Sequence, residues 1–189
     1  MPRVYMIRHG SPASTWGDNA NADPGLDDKG HAQAREAAKA LLALPQPPRF
    51  VISSPLARCR ETAAPFADTL KTAPRIEHNV AEIPTPSGIS LEARPAWLRN
   101  AFTQNWSDVE GDINYARWRD QVAATVAASA DTAVFSHFVA INAAVSAATN
   151  DARVLCFQPG HCSITVFDTD GKALTLIERG AEAQTKIVV

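Results

Sequence analysis

The sequence is poor in cysteine, in long apolar runs and in net positive charge. It has 3 cysteines among 189 residues, and neither their odd number nor their spacing fits a disulfide framework or a metal site. Cys59, Cys156 and Cys162 are therefore expected to be buried free thiols in a reducing compartment. The apolar runs are too short to cross a bilayer. A formal net charge of -2 gives no general attraction to nucleic acid or to an anionic membrane.

The first residues show no sign of a secretory leader. A signal peptide has a charged segment, an apolar segment and a cleavage site of small residues, whereas this chain enters a strand-like apolar run at Val4. We therefore expect a cytoplasmic protein with neither a nucleic-acid nor a membrane partner. No feature of the sequence predicts an oligomeric state.

The apolar content is that of an ordinary globular domain. Apolar residues make up 46% of the chain and charged residues 20%, and a chain of 189 residues is long enough to bury a substantial core. No internal repeat and no linker-like tract interrupts it. Residues 1–189 are therefore predicted to form a single domain.

Apolar runs and helical patterns alternate along most of the chain. Strands are predicted at residues 4–7, 49–53, 75–80 and 132–136, with a weaker one at 153–157 and a final hairpin at 163–178. Helices are predicted to begin near Asp28 with Asp27 as the N-cap, at Ser54-Pro55, near residue 112 and at Phe138, with a short one after residue 91. This order predicts an α/β protein with a mostly parallel sheet and helices on both of its faces.

Arg8 and His9 follow directly after the first predicted strand. A charged pair at the end of a buried strand is costly unless it is used, and open α/β sheets bind ligands beyond the carboxyl ends of their strands. Gly10, which has no side chain, would let a ligand approach the backbone closely. The tripeptide alone fits an ordinary surface turn equally well.

Three further candidate residues lie at or shortly after the ends of later predicted strands. Arg58 lies in the first turn of the second predicted helix, where a cation is unfavourable unless an anion binds at the same end. Glu82 follows the third predicted strand, and His137 follows the fourth. Because the carboxyl ends of parallel strands meet at one edge of a sheet, all five groups are expected to lie together. Arginines, imidazoles and a carboxyl group can bind a phosphoryl group, attack its phosphorus and protonate the leaving oxygen.

The same segments resemble the histidine phosphatase superfamily, also called phosphoglycerate-mutase-like. The segments that carry the resemblance are, in order, Arg8-His9-Gly10, LDDKGHAQA at 26–34, SSPLARCRETA at 53–63 and Ser136-His137. They belong to a stretch that covers most of the chain, from residue 4 to about residue 168. The resemblance implies a three-layer α/β/α sandwich and a phosphohistidine mechanism that uses no metal and no cofactor.

The resemblance also implies a role for each candidate. His9 would be the nucleophile that becomes phosphorylated, while Arg8, Arg58 and His137 would hold the phosphoryl oxygens. Glu82 would protonate the leaving group and then activate water. The expected partner is a small phosphorylated substrate, or a phosphoprotein, and the expected reaction is phosphomonoester hydrolysis.

Departures from the mutase pattern favour hydrolysis over phosphoryl transfer. Mutase-type members carry Glu and Asn where this sequence has Ser11 and Thr15, and Gly is common where it has Phe138. The segment between Glu82 and His137 is also short. A phosphomutase is the alternative enzyme, and an inactive relative that binds phosphorylated ligands is the alternative of another class. A metal site made of the histidines and Glu82 is opposed by the neighbouring arginines.

Some residues keep two interpretations at this stage. Trp16, Trp97 and Trp106 either line a substrate pocket or fill the core. His161, in the loop before the final hairpin, either reaches the site or lies away from it. Arg60 is expected to point away from the site, because it is two positions beyond Arg58 on the helix.

Overall fold

The computed structural model describes residues 1–14 and 23–183, and that part of the chain forms six strands and five α-helices. The strands are β1 (Arg3–Arg8), β2 (Phe50–Ser53), β3 (Arg75–Ile76), β4 (Thr132–Ser136), β5 (Ile164–Thr169) and β6 (Leu174–Glu178). The helices are α1 (Asp28–Leu42), α2 (Ala57–Thr69), α3 (Arg94–Ala101), α4 (Tyr115–Ala127) and α5 (Phe138–Thr149), with a 3-10 turn at His78–Val80. Thr15 and Trp16 lie outside the described residues.

The strands form one sheet in the order β3-β2-β4-β1-β5-β6. Strands β1 to β4 run parallel to one another, β5 is antiparallel to β1, and β6 is antiparallel to β5. The prediction of a mostly parallel sheet with a final hairpin is confirmed. Because β1 is an interior strand, Arg8 leaves the sheet at the middle of its carboxyl edge, opposite Ser136 of β4.

Helices cover both faces of the sheet, as predicted. Tyr5 and Ile7 pack among the apolar residues of α1 and α2, whereas Val4 and Met6 pack among those of α4 and α5. Successive side chains of a strand point to opposite faces, so β1 is buried from both sides. The three-layer α/β/α sandwich is confirmed.

The first helix begins where the sequence predicted. Asp27 is its N-cap, and the carboxylate Oδ1 accepts the backbone N–H of Gly30 at 2.6 Å. Gly30 itself packs against the loop that leaves β1, and a Cβ at this position would overlap the carbonyl oxygen of Ser11. This contact joins the start of α1 to the segment after His9.

Replacing Gly30 with alanine is expected to destabilise the fold despite its helical position. Alanine in place of a helical glycine usually stabilises a protein by about 1 kcal/mol. Here the overlapping atom is a backbone carbonyl oxygen, which cannot rotate away, so we expect a loss of about 2 kcal/mol in the free energy of unfolding. Urea denaturation measures it, with Gly88→Ala as the control because a Cβ there meets nothing within 4 Å. Equal stability of the two variants would refute the steric argument.

The third strand is shorter than predicted. The predicted strand at 75–80 ends at Ile76, because the Glu77 side chain accepts the N–H of Asn79 at 3.1 Å and starts the 3-10 turn. Glu82 therefore comes after this turn and not after a strand. The expected position of Glu82 at a strand end is thus wrong, although the residue still lies beyond the carboxyl edge of β2 and β3.

The weaker strand predicted at 153–157 does not form. The side-chain oxygen of Asn142 accepts the N–H groups of Cys156 at 2.8 Å and Phe157 at 3.1 Å, so a side chain satisfies donors that a strand would pair. The strand pairing of this segment, within the described residues, is limited to an isolated bridge between Arg153 and Asn105.

The aromatic residues of the segment before α4 belong to the core. Trp106 is buried, and its ring centroid lies 5.8 Å from that of Trp118. Trp97 is partly buried and lies 5.8 Å from Tyr115. These contacts support the core interpretation of Trp97 and Trp106.

The three cysteines are free thiols, but only Cys59 is fully buried. Cys156 and Cys162 are partly exposed, so the expectation that all three are buried is wrong for these two. Partial burial raises the pKa of the Cys162 thiol to about 12, which keeps it uncharged. In the described ranges, no helix is both long and apolar enough to span a membrane.

Candidate active site

His9 leaves the end of β1 with one ring nitrogen already engaged. Its backbone N–H donates to the carbonyl of Ser136 at 3.0 Å, and its Nδ1 lies 2.8 Å from the carbonyl oxygen of Gly10. A carbonyl oxygen can only accept, so Nδ1 carries the hydrogen and Nε2 keeps a free lone pair. The N–H of Gly10 donates to the Thr62 hydroxyl at 3.0 Å, which holds this turn against α2.

The surroundings of His9 keep its ring neutral. Burial holds the pKa of His9 well below its usual value, and the neighbouring His137 and Arg8 lower it further. At neutral pH the ring is therefore an uncharged base. A neutral imidazole with a free Nε2 is the form that can act as a nucleophile.

His137 lies beside His9, at the junction of β4 and α5. The two ring centroids are 5.3 Å apart. Both nitrogens of His137 have protein partners: Nε2 is 2.8 Å from the hydroxyl of Ser54, and Nδ1 is 3.3 Å from Nη2 of Arg58. Because a guanidinium only donates, Nδ1 accepts and Nε2 carries the hydrogen. Burial and the charges of Arg58 and Arg8 hold the pKa of His137 well below its usual value, so this ring is neutral as well.

Ser54 serves the site and does not cap α2, contrary to the sequence prediction. The helix begins at Ala57, and the residue before it, Leu56, makes no side-chain capping bond. The Ser54 hydroxyl bonds to His137 and also accepts the N–H of Leu56 at 3.3 Å. The predicted N-cap is wrong by two positions, because the Ser54 hydroxyl is used by the histidine.

Arg58 and the start of α2 do share an anion, and the anion is a side chain of this protein. Both carboxylate oxygens of Asp23 accept the N–H of Ala57, at 2.9 and 3.1 Å. One of them lies 3.9 Å from Nη1 of Arg58, a side chain that is only 4% exposed. The expected conflict between Arg58 and the helix dipole is thus resolved in part by Asp23. Arg60 is exposed, as predicted.

Arg8 is buried under the site. Its Nη1 donates to the carbonyl of Pro159 at 2.9 Å, and its guanidinium carbon lies 5.2 Å from the ring centroid of Phe138. Its Nε is buried and has no hydrogen-bond partner within the described ranges. Burial lowers the pKa of Arg8 to about 10, so the group stays positively charged at neutral pH.

Glu82 interacts electrostatically with buried arginines of the site. The side chain is half-buried, and its Oε1 accepts the N–H of Ile83 at 2.9 Å. Burial lowers the pKa of both Arg8 and Arg94, and the negative charge of Glu82 acts in the opposite direction. The structure therefore brings Glu82 within electrostatic reach of the buried arginines.

Sequence reasoning did not find Arg94. This side chain is 3% exposed and donates to the carbonyl of Ile83 at 3.3 Å and to the hydroxyl of Thr85. It thereby fixes the segment after Glu82. Its sequence position, in the first turn of a short helix, does not distinguish it from an exposed arginine.

His161 reaches the site. Its ring centroid lies 5.7 Å from that of His9. The topology could have indicated this position: β5 is antiparallel to β1, so the loop that precedes β5 must end at the edge where β1 ends. Across residues 1–14 and 23–183, no group of three His, Cys, Asp or Glu side chains is arranged to hold a metal ion.

The fold and the site define an α/β protein in which neutral histidines and buried arginines lie together at the carboxyl edge of the sheet. Its sequence identifies it further: the chain belongs to the histidine phosphatase superfamily (branch 1), whose family model matches residues 4–181. The resemblance noted from the sequence motifs is confirmed.

Solved structures of several phosphatases share the fold. A mycobacterial glucosyl-3-phosphoglycerate phosphatase with inorganic phosphate is 22% identical, with a TM-score of 0.71 over 98% of this chain and 100% of that chain. A phosphoserine phosphatase from Entamoeba histolytica with 3-phosphoglyceric acid is 20% identical, with a TM-score of 0.72 over 97% and 98% of the two chains. At this level of identity the likeness establishes the fold.

A curated relative is of a different kind. The transcription factor tau 55 kDa subunit of Saccharomyces cerevisiae is 28% identical over 120 residues, which is 54% of this chain. The match spans only 27% of that protein. The likeness therefore concerns one part of a longer chain.

Proposed function

We propose that this protein hydrolyses phosphomonoesters through a phosphohistidine intermediate on His9. The observation that carries the proposal is the state of His9: its ring is neutral, its Nδ1 is tied to Gly10, and its Nε2 is free beside buried arginines. The family supports phosphatase chemistry. The arrangement supplies a nucleophile together with the positive charge that a phosphoryl group needs.

The first step forms the phosphoenzyme. Nε2 of His9 attacks phosphorus, the bond from phosphorus to the ester oxygen breaks, and Glu82 gives its proton to the leaving alcohol. In the second step Glu82 takes a proton from water, the oxygen attacks phosphorus, and the bond to Nε2 breaks. Inorganic phosphate leaves, and both His9 and Glu82 return to their starting states.

Arg8, Arg58 and His137 hold the phosphoryl oxygens in this proposal, His137 once its hydrogen is on Nδ1. The charge of the two arginines takes the part that a metal ion has in other phosphatases. Arg58 must then exchange partners. Its contact with Nδ1 of His137 is 3.3 Å, longer than the 2.8 Å between Nε2 and Ser54. Binding of a dianion would break the longer contact first, because a charged acceptor bonds a guanidinium more strongly than a neutral ring does.

Two alternatives differ from hydrolysis in the fate of the bound phosphoryl group. A phosphomutase would return the phosphoryl group to substrate, but Ser11, which stands in place of the mutase glutamate, donates its hydroxyl to Asp27 at 2.8 Å. The second alternative is an inactive protein that only binds phosphorylated ligands; the likeness to part of a transcription factor subunit, a protein not named as an enzyme, is the observation that raises it. The likeness to two phosphatases named for small phosphorylated substrates supports hydrolysis of a small phosphomonoester.

The proposed intermediate can be trapped. Incubation with a labelled phosphomonoester and then rapid denaturation is expected to leave phosphate on the peptide that contains His9, stable in base and labile in acid. Substrates come from a screen of sugar phosphates, nucleotides, phosphoglycerates and phosphopeptides, run with and without a chelator. Turnover without any acid-labile label would exclude the phosphohistidine route, and binding without turnover across the whole screen would favour the inactive relative.

A further inference from the structure

We propose that His161 is a further phosphoryl-binding residue, whose neutral imidazole donates a hydrogen bond to an oxygen of the phosphoryl group that His9 attacks. This inference rests on the proposed function of the site. It assigns a role to the third imidazole of the site, which has no part in the two-step mechanism proposed above.

Because His161 lies beside His9, its position determines which oxygens of a bound phosphoryl group it can contact. In an in-line displacement the leaving oxygen points directly away from the nucleophile, and the other three phosphoryl oxygens spread sideways around phosphorus. Rings that lie beside His9 are therefore close to those three oxygens, whereas the leaving alcohol points away from the nucleophile. His161 and His137 lie at nearly equal distances from His9, with ring centroids 5.7 and 5.3 Å from it.

His137 and His161 differ in their hydrogen-bond partners. Both nitrogens of His137 are engaged, by Ser54 and by Arg58. Neither nitrogen of His161 forms a hydrogen bond with any residue that the structure describes, and the side chain is only partly buried. A half-buried imidazole beside a nucleophile, with its donor unused, is suited to a ligand that brings its own acceptor.

The loop that carries His161 is held in place by Arg8. The carbonyl of Arg8 accepts the N–H of Cys162 at 3.0 Å, and its guanidinium donates to the carbonyl of Pro159 at 2.9 Å. Gly160 adds a bond from its N–H to the carbonyl of Ala181 at 2.8 Å. The imidazole is therefore presented by a preordered backbone, so little conformational freedom is lost when it binds.

His161 acts as a neutral donor. Burial, together with the charges of Arg8 and Lys29, lowers its pKa to about 4, and Asp27 opposes this change. The ring is thus uncharged at neutral pH and carries one N–H. The nearby Arg8 and Arg58 make a cation an unfavourable ligand for the three rings, whereas a phosphoryl dianion is attracted by both.

His161 also lies at a groove outside the His9 site, which suggests a competing role in binding the alcohol part of the substrate. This groove runs along α1, and the ring lines it together with Lys29, Gln33 and Cys162. If substrate alcohols bound in this groove, His161 would select among esters and would not affect phosphate itself. The two roles predict different results for inorganic phosphate.

His161→Phe removes the donor and keeps a ring of similar size. We expect it to weaken the binding of inorganic phosphate and of vanadate by about tenfold or more, as for a hydrogen bond to a charged acceptor. The value of kcat/KM should fall by the same factor for p-nitrophenyl phosphate and for glycerol 1-phosphate, because they share the phosphoryl group. His161→Gln, which keeps a donor, should recover most of the loss. His78→Phe, at an exposed histidine on the 3-10 turn, is the control.

Calorimetric titration with phosphate decides the inference without turnover. Unchanged phosphate affinity in His161→Phe overturns it, and so does a loss of kcat/KM confined to one ester. If His161→Phe does not fold, as judged by circular dichroism, His161→Ala takes its place in the same titration. A wild-type protein that binds phosphate through His161 but hydrolyses no ester would sink the hydrolase proposal and leave this inference supported.

Discussion

Replacing His9 with alanine is expected to lower the hydrolysis of every phosphomonoester by roughly 10⁴-fold or more, the scale of losses when a covalent nucleophile is removed. The variant has no atom to accept the phosphoryl group, so water must attack the ester directly. Arg8 and Arg58 stay in place, and phosphate should still bind within a few-fold of the wild-type affinity. Steady-state kinetics and calorimetry with inorganic phosphate measure the two effects separately.

The fold should survive this change, because among the described residues the His9 side chain makes one hydrogen bond, to Gly10. His78→Ala removes an exposed imidazole from the 3-10 turn and serves as the matched control. Retention of wild-type turnover by the His9 variant would show that phosphorus is not attacked by this ring. A parallel loss of phosphate affinity and turnover would mean that the substitution had damaged the anion site.

Glu82→Gln is expected to separate the two chemical steps. For glycerol 1-phosphate, whose leaving alcohol needs a proton, we expect kcat/KM to fall by about 10²–10⁴-fold, the usual contribution of a general acid. For p-nitrophenyl phosphate the leaving phenolate needs no proton, so kcat/KM should change little. The kcat for this ester should still fall, because water in the second step has lost its base. Rapid mixing should then show a burst of p-nitrophenol equal to the enzyme concentration.

Glu92→Gln is the control for the loss of a carboxylate, since Glu92 is exposed in the segment between Glu82 and α3. A uniform drop of kcat/KM for both esters would show that Glu82 does not protonate the leaving group. Such a result would direct attention to another proton donor and would leave the role of His9 intact.

The sequence predicted the residues whose positions depend on strand ends. The strands β1 and β4 each contain a short apolar run with β-branched residues, so both the strand and its end could be located in the sequence. These ends place Arg8, His9 and His137. Arg58 was found because its motif places it one turn into the helix after β2. These predictions needed only local pattern and the rule that parallel strands end at one edge.

The features that the sequence did not predict depend on side chains that meet across the fold. Asp23 caps a helix that begins 34 residues further along the chain, and no local pattern links the two. Ser54 has the pattern of an N-cap, yet its hydroxyl is used by His137, 83 residues away. Arg94 and His161 lie in a short helix and a loop, where burial depends on tertiary contacts. The weaker strand at 153–157 failed for the same kind of reason, through Asn142.

The pairing of β1 with β5 determines when the site can exist during folding. Arg8 contacts Pro159, 151 residues further along the chain, and β1 stays unpaired on one side until β5 arrives. Contacts between such distant segments form slowly, because closing the long loop between them costs entropy before the contacts can stabilise the chain. A growing chain therefore exposes the apolar edge of its first strand throughout most of its synthesis, a condition that favours chaperone binding. Activity should appear late and all at once, when the final hairpin docks and brings its loop to the end of β1.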